Sequence, residues 1–314
     1  VSTVEELEKV RCAGKILLMK GAICSEQLMP KKFEFYNPEH HRRIISLLES
    51  SRSSGIVTAT ARNPEQAGAL YPHPLFVDGD FHIPSVYCKD STGEELACFT
   101  GREFQLKIDA KRIPSIATNV IARLNQEAQK KILITAHIDA YEDSPGALDN
   151  ASGTSVLLLL AEMLSDYRGS RCIEIAAFNG EDHYSAGGQK DYLNRYGCEI
   201  SSIQLTVNID GIGYNEGKVS FSFYGCSSEL QSRTEAVFNQ FDSLIHGEKW
   251  FSGDHMIFVQ KRIPSIAFTS ECMSELMRTV VHTSSDTPDM VDPHSLVETA
   301  QALNSLVRSL QTME

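Results

Sequence analysis

Residues 131–153 read KILITAHIDAYEDSPGALDNASG and carry the strongest evidence for how this chain folds. The segment opens on an apolar run, typical of a buried strand, that closes at His137. Asp139 follows two residues later, and Asp149 lies in a Pro/Gly turn ahead of the helical run SVLLLLAEML. In an open α/β sheet, ligands bind outside the carboxyl ends of the strands. An imidazole followed by carboxylates in a loop after a buried strand therefore predicts a metal site.

The chain from about residue 116 onward alternates between strand-like and helix-like runs. This alternation predicts an α/β fold with a mostly parallel, doubly wound sheet and helices on both faces. The predicted strands are Ile116–Leu124, Lys131–Ala136, Cys172–Phe178, Ile203–Ile209, Lys218–Phe223 and Ile263–Phe268. The predicted helices are Ala151–Tyr167, Gly187–Tyr196, Ser228–Phe241 and Pro293–Met313.

Residues 1–108 have a different texture and are predicted to form a smaller, β-rich domain, which leaves residues 109–314 as the catalytic domain. Gly/Pro-rich connections separate short β-like runs around one amphipathic helix, His41–Ser50. The β-like runs are Lys15–Lys20, Ile56–Ala59, Pro84–Cys88 and Glu103–Ile108. No group of His, Asp and Glu in this region has the spacing of metal ligands.

The composition is that of a soluble globular protein, with 42% hydrophobic and 22% charged residues among 314. A formal net charge of −12 argues against nucleic acid or an anionic membrane as the main partner. The apolar run near residues 156–161 stops at Glu162 and is too short to span a bilayer. Eight scattered cysteines without CxxC spacing read as reduced thiols and favour a cytoplasmic location. Secretion is the alternative, because the chain begins at Val1 and a leader could have been removed.

Three further segments carry acidic or imidazole side chains just after predicted strands or before the last helix. Glu181 and Asp182 lie in AFNGEDH, Asp210 in VNIDGIGY, and His282 in TVVHTSSDTPD. Each alone has an ordinary explanation: a hydrogen-bonded histidine, a solvated acidic pair, a turn aspartate, or a helix cap at Asp149. Together they are expected at one end of the sheet. Two histidines and three carboxylates suit two divalent ions of the zinc type.

In a two-metal hydrolase one carboxylate bridges the ions, which lie roughly 3.5–4 Å apart. Asp149, in the tight loop nearest the expected positions of both histidines, is the natural bridge. One metal would then take His137 and Asp210, and the other would take Asp182 and His282.

Two acidic residues remain beside these ligands. Glu181 is placed to take a proton from the metal-bound water and pass it to the leaving amine. Asp139 is expected to accept the other ring N–H of His137 and so fix its tautomer. Asp286 is a candidate brace for the loop of His282.

These segments together resemble the co-catalytic di-zinc aminopeptidase family, which includes secreted bacterial leucyl aminopeptidases and, more distantly, glutamate carboxypeptidase II and the transferrin receptor ectodomain. The resemblance implies the same ligand set, two Zn²⁺ ions per chain, and a peptide substrate with a free N-terminus. It also implies a peptide carbonyl polarised by zinc and attacked by a bridging hydroxide, with Glu181 as base and then acid. The matching segments are HID at 137–139, SPGALDNASG at 144–153, FNGED at 178–182, NIDGIG at 208–213, GDHMIF at 253–258 and HTSSDTPD at 282–289.

The first 108 residues look like a protease-associated domain. The likeness rests on GKILLMKG at 14–21, SSGIVTAT at 53–60 and HIPSVYCKDSTGEEL at 82–96. In the family such domains lack catalytic residues and tend to border or restrict the active site. The resemblance implies the same arrangement here.

The chain departs from the family pattern near the acidic pair and before the last histidine. Asp182 stands where glutamate is common, and His183 and Tyr184 replace a usual glycine-leucine pair. These two rings either line the substrate pocket or pack as ordinary loop residues. Val281 stands where some members carry a tyrosine, so oxyanion stabilisation would depend on zinc and another donor.

Asp254 and His255 match a family motif and either orient a ligand or the substrate amine, or simply pack. The function best supported is therefore a di-zinc aminopeptidase. A carboxypeptidase or a glutaminyl-cyclase-like enzyme on the same scaffold is one alternative, although cyclase relatives are expected to hold one metal. A catalytically inactive, receptor-like binding protein is the other, although such proteins are expected to have lost ligands that this sequence keeps.

Overall fold

The computed structural model describes residues 1–25, 28, 29, 31, 37–60, 82–111, 113–183 and 186–312. The chain divides into two compact units, Val1–Ser115 and Ile116–Glu314. The division falls a few residues after the boundary at 108 that the sequence predicts. Within the described residues, no helix combines the length and the apolar character needed to cross a membrane.

The first unit contains a three-stranded parallel sheet with the order β1-β2-β3. Its strands are β1 Ile16–Met19, β2 Gly55–Ala59 and β3 Ser85–Cys88, and its helices are α1 Val4–Lys9, α2 Glu39–Ser50 and α3 Asp90–Ala97. The second helix buries Ile44, Ile45 and Leu48 on one face, which is the amphipathic pattern that predicted it.

Two expectations for this unit differ from what its described residues show. The run 103–108 forms no strand, and its side chains are mostly exposed. Helices α1 and α3 were not predicted, so the described part of the unit has more helix than strand and is not β-rich.

The second unit contains a seven-stranded sheet with the order β4-β6-β5-β7-β10-β8-β9. Strands β6, β5, β7 and β10 run parallel in the middle, while β4 and β8 pair antiparallel with β6 and β10. The mostly parallel sheet that the sequence predicts is confirmed. The strands are β4 Val120–Leu124, β5 Lys131–His137, β6 Cys172–Phe178, β7 Ile203–Ile209, β8 Val219–Tyr224, β9 Leu244–His246 and β10 Ser265–Ser270.

Helices cover both faces of this sheet. Successive side chains of a strand point to opposite sides, so apolar residues lie on both faces and helices bury them. On one face, Ile132 and Ile134 share a core with Leu160 of α4 and Leu303 of α9. On the other face, Phe178 packs 5.3 Å, centroid to centroid, from Tyr192 of α5. The helices are α4 Gly153–Met163, α5 Gly187–Tyr196, α6 Ser228–Phe238, α7 Met256–Val259, α8 Met273–Thr279 and α9 Pro293–Ser309.

The segment between β5 and α4 differs from the predicted helix Ala151–Tyr167. Helix α4 begins at Gly153 and ends at Met163, and a π-helical turn, Ala147–Ser152, precedes it. Asp149 and Asn150 have non-helical backbone angles inside that turn, and the peptide bond between them is cis. Asp149 therefore lies in an irregular turn that precedes the regular helix α4.

Candidate metal centre

Four loops bring the predicted site residues to one edge of the larger sheet. His137 is the last residue of β5, Asp210 directly follows β7, and Asp182 lies four residues after β6. Strands β6, β5 and β7 are parallel neighbours, so their carboxyl ends meet. Asp149 enters from the turn before α4, and His282 from the loop after α8.

Asp149 lies between the two histidines and presents one carboxylate oxygen to each. Its Oδ1 lies 3.0 Å from His137 Nε2, and its Oδ2 lies 3.2 Å from His282 Nε2. A carboxylate between two imidazoles, with one oxygen toward each, has the geometry that a bridging ligand requires.

The two remaining carboxylates flank this central group, one beside each histidine. Asp210 Oδ1 lies 3.3 Å from His137 Nε2, and Asp182 Oδ1 lies 2.9 Å from His282 Nε2. The structure thus pairs the side chains in the way that the sequence analysis assigned them to two metals. Their roles as ligands stay predictions.

The donor set fits divalent metal ions of the zinc type. His137, Asp149 and Asp182 offer ligand atoms within 4.8 Å of one another, and all three residues are buried. In the described structure, Asp182 Oδ2 is a buried oxygen that accepts no hydrogen bond. Buried carboxylate oxygens without a partner are unfavourable, and a cation would satisfy them.

Electrostatics in the cluster are dominated by burial and by contacts between acid and imidazole. Burial alone would raise the pKa of Asp149, but hydrogen bonds from both histidines hold that pKa below its ordinary value. Burial lowers the pKa of His282, yet its contacts with Asp149 and Asp182 outweigh this and raise it to about 9. Without metal, protonated imidazoles therefore serve as the cations of the cluster.

Glu181 lies next to these ligands and lines the same cavity. Burial raises its pKa well above the ordinary value. The charge of His137 opposes that shift, while Asp254 and Asp210 add to it. A carboxyl group with a raised pKa holds a proton more readily than an ordinary glutamate, which suits a group that accepts and releases protons.

Asp139 makes different contacts from those predicted. The Nδ1 atom of His137 lies 3.0 Å from the backbone carbonyl oxygen of Asp139, and 3.8 Å from its carboxylate. The carboxylate accepts hydrogen bonds from the backbone N–H groups of Gly180, Glu181 and Asp182 at 2.7–3.2 Å. The carbonyl orients the ring because the carboxylate is already occupied by three donors.

Two further side chains hold the loops of the site, and the second was not predicted. Asp286, fully buried, accepts hydrogen bonds from the backbone N–H groups of Leu148 and Asp149 and so ties the His282 loop to the Asp149 loop. The ring of Tyr141 stacks on that of His282 with centroids 4.8 Å apart. Tyr141 lies in the quoted 131–153 segment, but nothing in the sequence marks it as a partner of a histidine 141 positions later.

Asp254 and His255 are buried beneath the site, and neither lines the cavity. Gln189, which the sequence analysis missed, donates a hydrogen bond to Asp254 Oδ1. Burial raises the pKa of Asp254 to about 7. Burial also lowers the pKa of His255 to about 4, and its Nε2 lies 3.1 Å from the carbonyl oxygen of Trp250. Packing describes His255 better than contact with a substrate does.

The residues after the acidic pair give little support to a substrate role. His183 is exposed and does not line the cavity, and Tyr184 lies outside the described residues.

A cavity of about 500 Å³ opens beside the cluster. Asp149, Glu181, Asp182, Asp210 and His282 form one end of it. The rest of its wall comes from Ser220 of β8, from residues 245–250 and 252, which follow the start of β9, and from residues 269–271, 273, 274 and 277 around the start of α8. A volume of this size accommodates a small peptide or a drug-sized ligand.

Solved structures share this fold. The aminopeptidase from Aneurinibacillus sp. strain AM-1 is 21% identical, with a TM-score of 0.70 over 98% of this chain and 72% of that one. BSAP, a zinc aminopeptidase from Bacillus subtilis, is 22% identical, with a TM-score of 0.68 over 95% of this chain and 70% of that one.

Sequence relatives point the same way. Aminopeptidase YwaD of Bacillus subtilis is 27% identical over 268 residues, which cover 79% of this chain and 58% of the relative. Leucine aminopeptidase 2 of Trichophyton rubrum is 22% identical over 201 residues, which cover 59% of this chain and 40% of the relative. The chain thus spans less than two thirds of the length of these relatives.

Residues 119–307 match Peptidase family M28. The match covers more than half of the chain and includes all the loops that meet at the Asp149 cluster. The sequence resemblance to zinc aminopeptidases is confirmed at this level, and the chain belongs to peptidase family M28.

Proposed function

We propose that the chain is a zinc-dependent aminopeptidase, which removes the first residue of peptides with a free N-terminus. The observation that carries the proposal is the placement of Asp149, with one carboxylate oxygen toward each of two histidines. The names of the relatives support the same activity, since YwaD is an aminopeptidase and BSAP is a zinc aminopeptidase.

Two zinc ions would be held by the five side chains of the cluster. His137 and Asp210 would hold one ion, His282 and Asp182 the other, and Asp149 both. Zinc supplies Lewis acidity toward a peptide carbonyl and toward water. The backbone carbonyl of Asp139 and the carboxylate of Asp286 hold His137 and the Asp149 loop in place.

Glu181 is the group that moves the proton. Its carboxylate takes a proton from the attacking water and then delivers it to the nitrogen of the departing amine, so that the residue returns to its starting state. The raised pKa favours the first transfer, because the carboxylate accepts a proton more readily than an ordinary glutamate does.

The charges around the cavity favour a positively charged substrate terminus. Besides the cluster, the cavity lining contains two glutamates, Glu248 and Glu271, and the lysine Lys249. An acidic wall attracts an α-ammonium group and repels an α-carboxylate. This observation favours an aminopeptidase over the carboxypeptidase alternative.

The test combines zinc analysis with a substrate comparison. We expect about two zinc ions per chain, and hydrolysis of leucine p-nitroanilide but not of its N-acetylated form, because acetylation removes the ammonium charge. A metal-free protein that cleaves neither substrate after zinc is added back contradicts the proposal.

The variant Glu181→Gln tests the proton transfer. Loss of a general base reduces the rate by about 10²–10⁴-fold, and we expect kcat to fall by that amount while zinc content is unchanged. Glu248→Gln is the matched control for kcat, because Glu248 lines the cavity but is exposed; loss of its charge should raise only KM. Equal activity of Glu181→Gln and the unmodified chain would rule out this role.

A further inference from the structure

Met273 reaches from the start of α8 to the backbone beside the metal cluster. Gly211, which directly follows Asp210, has a positive φ of 62°. A Cβ atom on Gly211 would lie 2.0 Å from the Cε of Met273, so the methionine methyl group occupies the space where another residue would have its side chain. Met273 therefore ends beside the backbone of Gly211, the residue after Asp210, and Met273 and Asp210 line the same cavity.

The wall that contains Met273 is anchored to the interior of the protein. Met273 and Met277 lie on one face of α8, since residues four apart face the same side of a helix, and both line the cavity. The same helix packs on a buried apolar cluster formed by Leu148, Leu276, Val280 and Val281. Other residues of the lining, such as Glu248 and Lys249, are exposed. The lining thus combines an anchored apolar part with an exposed polar part.

On the basis of the proposed aminopeptidase function, we propose that Met273 sets the size limit for the side chain of the first substrate residue. The enzyme then takes medium-sized aliphatic first residues, of the size of leucine or methionine, and discriminates against aromatic ones.

The first substrate residue belongs on the Met273 side for a geometric reason. An aminopeptidase must enclose the residue that ends the chain, while the remaining peptide leaves toward solvent. The anchored part of the lining supplies the enclosed end, and the exposed part supplies the way out. A thioether packs well against aliphatic chains, because it is flexible and polarisable.

The experiment measures kcat/KM for alanine, leucine and phenylalanine p-nitroanilides with zinc-loaded protein. We expect Met273→Ala to raise the phenylalanine-to-leucine ratio of kcat/KM by about tenfold or more. One methylene group more or fewer in an apolar pocket changes the ratio of kcat/KM between two substrates by about 10–200-fold. Met273→Phe should act in the opposite direction and favour alanine.

The matched control is Met290→Ala. Met290 packs against the same apolar cluster as Met273, but it does not line the cavity. It controls for loss of packing, and its substrate ratios should equal those of the unmodified protein. If Met273→Ala does not fold, Met273→Phe and Met273→Leu still report on the ratio.

The outcomes separate this inference from the proposed function. Active variants whose ratios equal those of the unmodified protein overturn the role of Met273 and leave the aminopeptidase intact. The role of Met273 is also overturned if Met273→Ala changes the preference for the second residue of dipeptide substrates and not the preference for the first. An unmodified protein that cleaves none of the substrates overturns both.

Discussion

Asp139 shows how a single carboxylate can order the loop that carries the proposed base. Its two oxygens accept three backbone N–H groups from residues 180–182, the segment that presents Glu181 and Asp182 to the cavity. Hydrogen bonds from backbone amides to a charged carboxylate are stronger than bonds between neutral groups. The loop that carries the proposed base is therefore set in position by a residue at the end of the neighbouring strand.

We expect Asp139→Asn to lower zinc affinity or activity by about 10–100-fold, the usual effect of changing a residue that supports a metal ligand. The physical reason is that an amide presents an N–H₂ group to donors that need an acceptor. Metal titration and kcat/KM on leucine p-nitroanilide measure the effect. Asp143→Asn is the control, because Asp143 is exposed in the same loop and asparagine tolerates its positive φ. Equal losses in both variants would contradict this role of Asp139.

At the residue scale, the sequence predicted which side chains come together better than it predicted their atomic contacts. The pairing of His137 with Asp210, and of His282 with Asp182, follows from residue type and strand order. The partners of the Asp139 carboxylate do not, because they depend on how the 180–182 backbone turns. Met273 and Tyr141 carried no signal, since an apolar or aromatic side chain at a site looks like any packed residue.

At the element scale, strands β5, β6 and β4 are tied together by a buried ionic group far from the metal cluster. Glu174, fully buried, forms ion pairs with Arg123 and Lys131 and accepts a hydrogen bond from Tyr192 of α5. Lys131 is itself 4% exposed and donates to Glu199 as well. Loss of one member leaves other charges buried without compensation.

We expect Glu174→Gln to lower the free energy of unfolding by about 3–5 kcal/mol, because it breaks a buried ion pair and leaves Lys131 with a weaker partner. Urea unfolding of the zinc-loaded protein measures this. Glu199→Gln is the matched control: its carboxylate lies the same 2.8 Å from Lys131 Nζ, but its side chain is 40% exposed, so about 0–1 kcal/mol is expected. A smaller loss for Glu174→Gln than for Glu199→Gln would refute the argument.

Prediction of the elements succeeded where burial is complete. Strands β5, β6 and β7 are buried along almost their whole length, so a continuous apolar run marks each of them. Short elements such as β9 and α8 were missed, because three to seven residues are too few to establish a period. The predicted helix 151–167 began too early, since the shape of the turn around Asp149 comes from tertiary contacts with Asp286.

At the scale of the whole molecule, removal of the metal should make stability depend on pH in a defined direction. In the folded, metal-free chain, burial lowers the pKa of His282, but its contacts with Asp149 and Asp182 outweigh this and raise it to about 9 from an ordinary 6.5. A raised pKa contributes stability that is complete below about 6.5 and is lost as the pH rises through about 9.

For protein treated with a chelator, we expect the free energy of unfolding to fall between pH 6.5 and pH 9 by on the order of 3 kcal/mol. Thermal or urea unfolding across this range measures it. The zinc-loaded protein should be more stable and should not show this decline, because zinc binds deprotonated imidazole and competes with protons. Unchanged stability of the metal-free protein from pH 6.5 to pH 9 would show that protonated His282 does not stabilise the metal-free cluster.

The contacts of the cluster join distant parts of the chain, which has a consequence for biosynthesis. Asp182 and His282 are 100 residues apart, and Asp149 is braced by Asp286 across 137 residues. A ribosome releases the strands β5, β6 and β7 well before His282, so a nascent chain carries three crowded carboxylates without their second imidazole. The complete set of proposed ligands, together with the Asp286 brace, therefore exists only in a chain that has been translated beyond residue 286.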